Sequence, residues 1–218
     1  MRIHLKIKAD NQLIPFNHQQ WLVGTFHKWL GQNEEHGNLS LYSFSWMSGG
    51  KKERGGLRFG DFAYLFISCH DINLTRDLVE GIQKDPTMFE GLSVSEITLQ
   101  HAPDLSDRNH FLVASPIFIK RKEGERVEHI FYNDKRSSSC LEETLRNKMA
   151  KAGLQDESLS IRFDTSYHAA MTKKITYDGI ENRANWCPVI IEGKPETKQF
   201  AWHVGLGNST GIGFGAIK

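Results

Sequence analysis

The sequence lacks three features that would place the chain in a special class: a strong charge of one sign, a long apolar run and a cysteine framework. Lys and Arg number 27 against 26 Asp and Glu, so the net charge of +1 predicts no general attraction to nucleic acids or membranes. The longest apolar run, residues 62–69, is far shorter than the ~20 residues that cross a bilayer. We therefore expect no transmembrane helix and no membrane partner.

Cysteine is scarce, and Cys69, Cys140 and Cys187 are not spaced as metal ligands. An odd number of widely separated cysteines argues against a disulfide framework and against a zinc site. Residues 1–11 alternate apolar and charged side chains and lack the apolar core of a signal peptide. We expect reduced thiols, a cytoplasmic location and no metal site.

The chain does have an ordinary globular composition, with 218 residues of which 39% are hydrophobic and 24% are charged. This length allows one large domain or two small ones. In the first half, the hydrophobic pattern predicts strand 1–8, a helix capped by Asn17 and ending near Gly31, strands 39–46 and 59–68, a helix opening at Asn73 or Thr75, and strand 92–99. This β-α-β-β-α-β order is typical of a ferredoxin-like unit.

The second half predicts a related but less regular unit. Strands are expected at residues 111–120, 126–132, 158–163, 168–177, 189–191 and 200–206, with a helix at 138–151 that ends near Gly153. We therefore predict an α+β fold of two tandem ferredoxin-like units with antiparallel sheets, covering residues 1–115 and 116–218. Lys and Arg outnumber Asp and Glu only in the second unit.

The most informative part of the sequence is a glycine-rich segment, residues 205–215, with glycines at 205, 207, 211, 213 and 215. It fails the dinucleotide fingerprint, because Thr210 stands where the third glycine is required, and it lacks the GK[ST] of a P-loop. One interpretation is a loop whose exposed amides and small hydroxyls approach a phosphate backbone. The other is a glycine-rich hairpin before a last strand at residues 212–217.

This glycine pattern, with Phe214 between its last two glycines, resembles that of the CRISPR-associated repeat-processing endoribonucleases of the RAMP superfamily. Pro15-Phe-Asn-His, Tyr42-Ser-Phe-Ser and Ala114-Ser-Pro-Ile look like segments of the same family. Non-catalytic RAMP subunits carry related glycine motifs, so the motif indicates the superfamily. The overall layout favours the processing enzyme.

The resemblance implies metal-independent cleavage of precursor CRISPR RNA within its repeats, without a cofactor. The 2′-hydroxyl attacks the adjacent phosphate and leaves a 2′,3′-cyclic phosphate and a 5′-hydroxyl. This chemistry needs a group that takes a proton, a group that gives one and cations near the developing charge. The alternative is a RAMP subunit that binds repeat or guide RNA without cutting it. The family also implies a homodimer or a CRISPR effector complex as further assemblies.

The family usually places a catalytic histidine in or just after the first helix, which makes His36 and His27 the candidates. His36 lies in the polar segment Asn33-Glu-Glu-His-Gly-Asn and matches the family position best. His27 lies at the edge of the apolar helix stripe that contains Leu22 and Phe26. Each is also explained as an ordinary surface histidine, since the chain has 10.

Many relatives use a lysine close to the second strand, but this sequence has none between Gly37 and Gly50. The nearest cations lie in a segment that either binds phosphate or forms a solvated hairpin tip, and they are Lys51, Lys52, Arg54 and Arg58. The RNA contacts expected in the second unit are Lys173, Lys174, Gly205, Gly207, Asn208, Ser209, Thr210, Gly211 and Gly213.

Overall fold

The computed structural model describes residues 1–31, 39–124 and 126–218. Buried apolar side chains form two main cores, one within residues 3–92 and one within residues 105–217. The elements of the first half are β1 (Arg2–Lys8), β2 (Leu13–Pro15), α1 (Gln19–Leu30), β3 (Tyr42–Phe44), β4 (Ser48–Glu53), β5 (Gly56–Cys69), α2 (Ile72–Lys84) and β6 (Ser93–Gln100). Those of the second half are β7 (His110–Phe111), β8 (Lys120–Glu123), β9 (Arg126–His129), α3 (Ser137–Lys151), β10 (Ser160–Phe163), β11 (Met171–Tyr177), β12 (Ile180–Trp186), β13 (Val189–Glu192), α4 (Pro195–Val204) and a 3-10 helix (Thr210–Ile212). In the described part of the chain, no helix is both long and apolar enough to cross a membrane.

The first sheet is antiparallel, and β5 lies at its centre. β1 pairs with the second half of β5, and β6 pairs with the other edge of β1. Because Ser68 is opposite both Arg2 and Ser43, β3 lies on the side of β5 away from β1. The order β6-β1-β5-β3, with α1 between β1 and β3 and α2 between β5 and β6, confirms the predicted ferredoxin-like unit.

The second sheet repeats this order. β13 lies between β10 and β7. Beyond β7, Val113 pairs with Ile217, and the backbones of Leu112 and Lys218 exchange hydrogen bonds. With α3 before β10 and α4 after β13, the pattern is again ferredoxin-like, and the β8–β9 and β11–β12 hairpins are additions to it. The boundary between residues 115 and 116 stays a prediction.

Several details of the predicted elements were wrong. Residues 111–120, predicted as one strand, contribute only their first and last residues to β7 and β8, and residues 48–53 and 180–186 form strands that were not predicted. Residues 200–206, predicted as a strand, belong to α4 as far as Val204. Their short apolar run has no clear period, whereas Pro195 at the first turn favours a helix start, and Phe200, Ala201 and Val204 all become buried. The caps also differ, because α1 begins after His18 rather than after Asn17 and Asp71 caps α2 by accepting from the amide of Asn73.

Helices α1 and α2 lie on one face of the first sheet and approach each other closely at Gly81. A Cβ atom at Gly81 would overlap the backbone carbonyl of Trp29 in α1. Since this neighbour is backbone, the two helices must separate to accept any side chain. Gly24 in α1, by contrast, has open space around its Cβ position.

We expect Gly81→Ala to lower the free energy of unfolding by about 2–3 kcal/mol, the usual cost of overpacking. Gly24→Ala is the matched control, and it should raise the free energy of unfolding by about 0.5–1 kcal/mol, because alanine favours a helix interior. Urea unfolding measures both changes as shifts of the midpoint at constant slope. Equal stability of the two variants would contradict the close approach.

Arg2 contacts both halves of the chain. Its guanidinium lies between the rings of Phe66 and Trp202, 3.8 and 3.5 Å from their centroids. It donates hydrogen bonds to the Ser68 hydroxyl and to the carbonyl oxygens of Trp202 and Ile217. Burial lowers the pKa of Arg2 to about 9. This buried side chain therefore ties β1 to α4 and to the C-terminal segment that pairs with Leu112 and Val113.

Candidate functional site

A cleft of about 680 Å³ lies on the described surface and is here named the glycine cleft. It lies where α1, β3, β8, α3 and the glycine-rich segment meet, so both halves of the chain contribute to it. Its described lining consists of His27, Leu39, Ser40, Tyr42, Lys120, Arg121, Glu143, Thr144, Asn147, Lys148, Tyr177, Gly207, Asn208, Ser209, Thr210, Gly211 and Ile212.

The glycines of the glycine-rich segment serve the packing of the chain itself. Gly207 and Gly215 have φ values of +74° and +73°, a region that glycine occupies without strain. A Cβ atom at these positions would overlap the carbonyl oxygens of Phe118 and Leu206, respectively. The alternative of a last strand at residues 212–217 was wrong in detail, because residues 210–212 form a 3-10 helix and Ile217 makes only an isolated bridge.

Residues 207–212 are the part of the glycine-rich segment that lines the cleft, and three elements hold it in place. The side-chain oxygen of Asn208 accepts from the amide of Lys120 at 2.9 Å. Gln19 of α1 donates to the carbonyl of Ile212 at 2.7 Å. The ammonium of Lys148 donates to the hydroxyl of Thr210 at 2.8 Å. Gly205 and Gly213, which we also predicted as RNA contacts, are not in the described lining.

His27 is one of the two predicted catalytic histidines and lies in the wall of the glycine cleft. Its ring is half-buried and meets the Phe26 ring edge-on, with centroids 5.7 Å apart. His36 lies outside the described residues. The described residues that flank His36 in the sequence are Gly31, which follows the end of α1, and Leu39, which lines the cleft.

The predicted cations do not lie in the described lining of the cleft. Lys51, Lys52 and Arg54 are exposed on the β4–β5 hairpin, and Arg58 pairs there with Glu53 at 2.7 Å. The exposure of this ribbon fits both alternatives, a solvated hairpin tip and a phosphate-binding segment, and its RNA contact stays a prediction. On the β11–β12 hairpin, Lys173 approaches the ring of Trp186 and Lys174 pairs with Glu181, both outside the lining.

Three other cations line the glycine cleft, and the sequence analysis missed them. Lys120 is exposed at its rim, Arg121 pairs with Glu143 at 2.9 Å, and Lys148 lies at its floor. Nothing in the sequence around Lys120 and Arg121 marks them as residues of a binding site. Lys148 could have been found from the sequence, because it follows Leu141 by seven residues and so lies on the buried stripe of α3, where a charged residue is unusual.

A second groove of about 500 Å³ lies on the first sheet and reaches the second half of the chain. Trp46 and Trp186 meet in it with ring centroids 5.5 Å apart, and Tyr64 is about half exposed. Its polar lining consists of His4, Lys6, Ser45, Ser48, Glu96, Thr98 and Lys218. Within the described ranges, no group of three or more His, Cys, Asp or Glu side chains is placed to hold a metal ion.

Comparison with known proteins connects this geometry to a family. The family model described as CRISPR associated protein Cas6, C-terminal, matches residues 100–218, which is more than half of the chain. A CRISPR-associated endoribonuclease-like protein Cas6 of Pyrococcus furiosus is 25% identical over 243 residues, covering 100% of this chain and 98% of the relative.

Solved structures share the fold over the whole chain. One described as CRISPR associated protein Cas6 has a TM-score of 0.86 at 20% identity, covering 100% of this chain and 98% of that one. The product of a Cas6-related gene of Pyrococcus furiosus has a TM-score of 0.84 at 23% identity, covering 100% and 97%. A RAMP protein described as binding different RNA substrates has a TM-score of 0.86 at 21% identity, covering 100% and 98%. The α+β fold of two tandem ferredoxin-like units is therefore the fold of the RAMP proteins.

Proposed function

Since the chain belongs to the Cas6 family of CRISPR-associated proteins, we propose that it processes CRISPR RNA, as an endoribonuclease that cuts precursor RNA within its repeats. CRISPR repeat RNA is then its partner. A homodimer and a CRISPR effector complex stay predictions from the family resemblance.

The observation that carries this proposal is the glycine cleft. One surface brings together the imidazole of His27, the cations Lys120 and Arg121, and the backbone of residues 207–212. Proton transfer at a phosphodiester requires an acid or base such as an imidazole. Neutralising the charge of the phosphate requires cations and backbone N–H donors.

In this mechanism the RNA 2′-hydroxyl loses its proton to a base and attacks the adjacent phosphorus. The bond to the 5′-oxygen breaks, and this oxygen takes a proton from an acid, which leaves a 2′,3′-cyclic phosphate and a 5′-hydroxyl. His36 and His27 are the acid and the base, because histidine exchanges protons near neutral pH. Lys120 and Arg121 stabilise the charge that develops on the phosphate oxygens. No step requires a metal ion.

The second groove suits the unpaired bases of the same RNA. The rings of Trp46, Trp186 and Tyr64 offer stacking surfaces, and Lys6 and His4 lie beside them. Base stacking on aromatic side chains next to cations is the usual way in which proteins bind single-stranded RNA.

The test incubates the purified protein in EDTA with end-labelled repeat RNA from the host's own array. A second RNA carries a 2′-deoxy nucleotide at the cleavage position, and the ends of the products are identified by mass spectrometry. We expect the first RNA to be cut to a 2′,3′-cyclic phosphate and a 5′-hydroxyl, and the second to be bound but not cut. Binding of both RNAs without any cut would replace the enzyme with an RNA-binding subunit, and cleavage of the 2′-deoxy RNA would contradict the mechanism.

A further inference from the structure

Lys148 is a charged residue of the glycine cleft to which the proposed chemistry gives no role. It lies on the buried face of α3, between the second core and the floor of the glycine cleft, and only 2% of its surface is exposed. A buried ammonium is costly unless all of its N–H groups find acceptors. The hydrogen-bond acceptors around the ammonium of Lys148 therefore indicate its role.

The described acceptors of Lys148 all lie in residues 204–210, which run from the last residue of α4 into the glycine-rich segment. The ammonium donates to the carbonyl oxygen of Val204 at 2.9 Å and to the hydroxyl of Thr210 at 2.8 Å. The carbonyl oxygen of Gly205 is a third acceptor at 3.4 Å. Lys148 thus connects the two ends of residues 204–210, between which Gly207, Asn208 and Ser209 line the cleft.

We propose that Lys148 is a positioning residue, which holds residues 204–210 in the shape that presents residues 207–211 to the RNA phosphates. This inference rests on the proposed function and adds to it a residue that acts through the backbone. With three N–H groups directed at three protein acceptors, Lys148 has none left for RNA. Glycine loses more conformational freedom on ordering than other residues do. A segment with glycines at 205, 207 and 211 therefore depends on such hydrogen bonds to keep one conformation.

The charge of Lys148 also lies close to the position proposed for RNA. Burial lowers the pKa of Lys148 to about 7, and no described carboxylate forms an ion pair with it. Below pH 7 the ammonium adds positive charge to the floor of the cleft, and above pH 7 that charge is lost. RNA affinity should therefore fall as the pH rises through 7. The other charged or titratable groups of the described lining are His27, Tyr42, Lys120, Arg121, Glu143 and Tyr177.

The experiment compares Lys148→Met with Lys198→Met. Lys198 of α4 is equally buried and donates to the carbonyl oxygens of Leu105 and Ser106, away from the cleft. The readouts are amide hydrogen exchange of residues 204–212 and affinity for the 2′-deoxy repeat RNA. Affinity is followed across pH 7 in a background of His27→Gln and His36→Gln, because histidine titrates in the same range. Thr210→Val, which removes one acceptor, is the milder variant if Lys148→Met does not fold.

We expect Lys148→Met to exchange faster at residues 204–212, to bind RNA about tenfold more weakly or worse, and to lose the fall in affinity across pH 7. Thr210→Val should change exchange and affinity in the same direction by a smaller factor, and Lys198→Met should change neither. Unchanged exchange and affinity within twofold in Lys148→Met would overturn the inference and leave the proposed function intact. If the parent protein does not bind repeat RNA, the proposed function fails, and hydrogen exchange still decides whether Lys148 holds the segment.

Discussion

Replacing His36 or His27 with alanine is expected to slow cleavage of repeat RNA by roughly 10²–10⁴-fold in each case, the usual contribution of a general acid or base. RNA affinity should change little, because neither side chain supplies a fixed charge to the phosphates. The double variant should be little slower than the slower single variant, since the two groups act on one transition state. Single-turnover cleavage in EDTA with saturating protein measures the chemical step.

His101→Ala is the matched control for these variants, since His101 is exposed after β6 and lies outside the lining of the glycine cleft. It should cleave at the parent rate. If His27→Ala also cleaves at the parent rate while His36→Ala is inactive, His27 belongs to the wall of the cleft and not to the chemistry. Parent rates in both variants would remove the histidines from the mechanism.

Replacing Gly215 with alanine is expected to lower the free energy of unfolding by roughly 3–5 kcal/mol. The φ of +73° costs any other residue energy, and the added Cβ atom would overlap the carbonyl oxygen of Leu206. That overlap also breaks the hydrogen bond from the Leu206 amide to the Gly215 carbonyl, which measures 2.9 Å. Because native proteins are stable by only about 5–15 kcal/mol, a large part of the margin should be lost.

Gly153 separates the two causes of this loss. Its φ is +72°, nearly that of Gly215, but nothing lies within 4 Å of its Cβ position. Gly153→Ala should therefore cost only about 1–2 kcal/mol, the price of the left-handed backbone. Urea unfolding of both variants gives the comparison. Similar losses in the two would mean that the glycine-rich segment is not packed as closely as described.

Local patterns predicted the first half of the fold well. The alternation in β1 and the apolar stripe of α1 are strong signals, and they gave the β-α-β-β-α-β order and the end of α1 at Gly31. The helix α4 was mistaken for a strand, because a short apolar run such as residues 200–206 fits either structure until its packing partners are known.

Only those parts of the site that lie in one continuous stretch of sequence could be predicted. The glycine-rich segment was found from its own residues and His27 from the family resemblance, but Lys120, Arg121 and Lys148 come from β8 and α3 and reach the cleft only through the fold. The packing role of the glycines could not be predicted either, because the backbone that lies against Gly207 belongs to Phe118, which is distant in the sequence. His36 stays a prediction from the family resemblance.

Photo-crosslinking would test most directly whether the glycine cleft holds the RNA at its cleavage position. The repeat RNA would carry a 2′-deoxy nucleotide at that position and a 4-thiouridine beside it, and the cross-linked peptides would be identified by mass spectrometry. We expect cross-links in peptides that contain His27 or residues 207–212. Cross-links confined to the β4–β5 hairpin or to the exposed face of α2 would contradict the assignment of the glycine cleft.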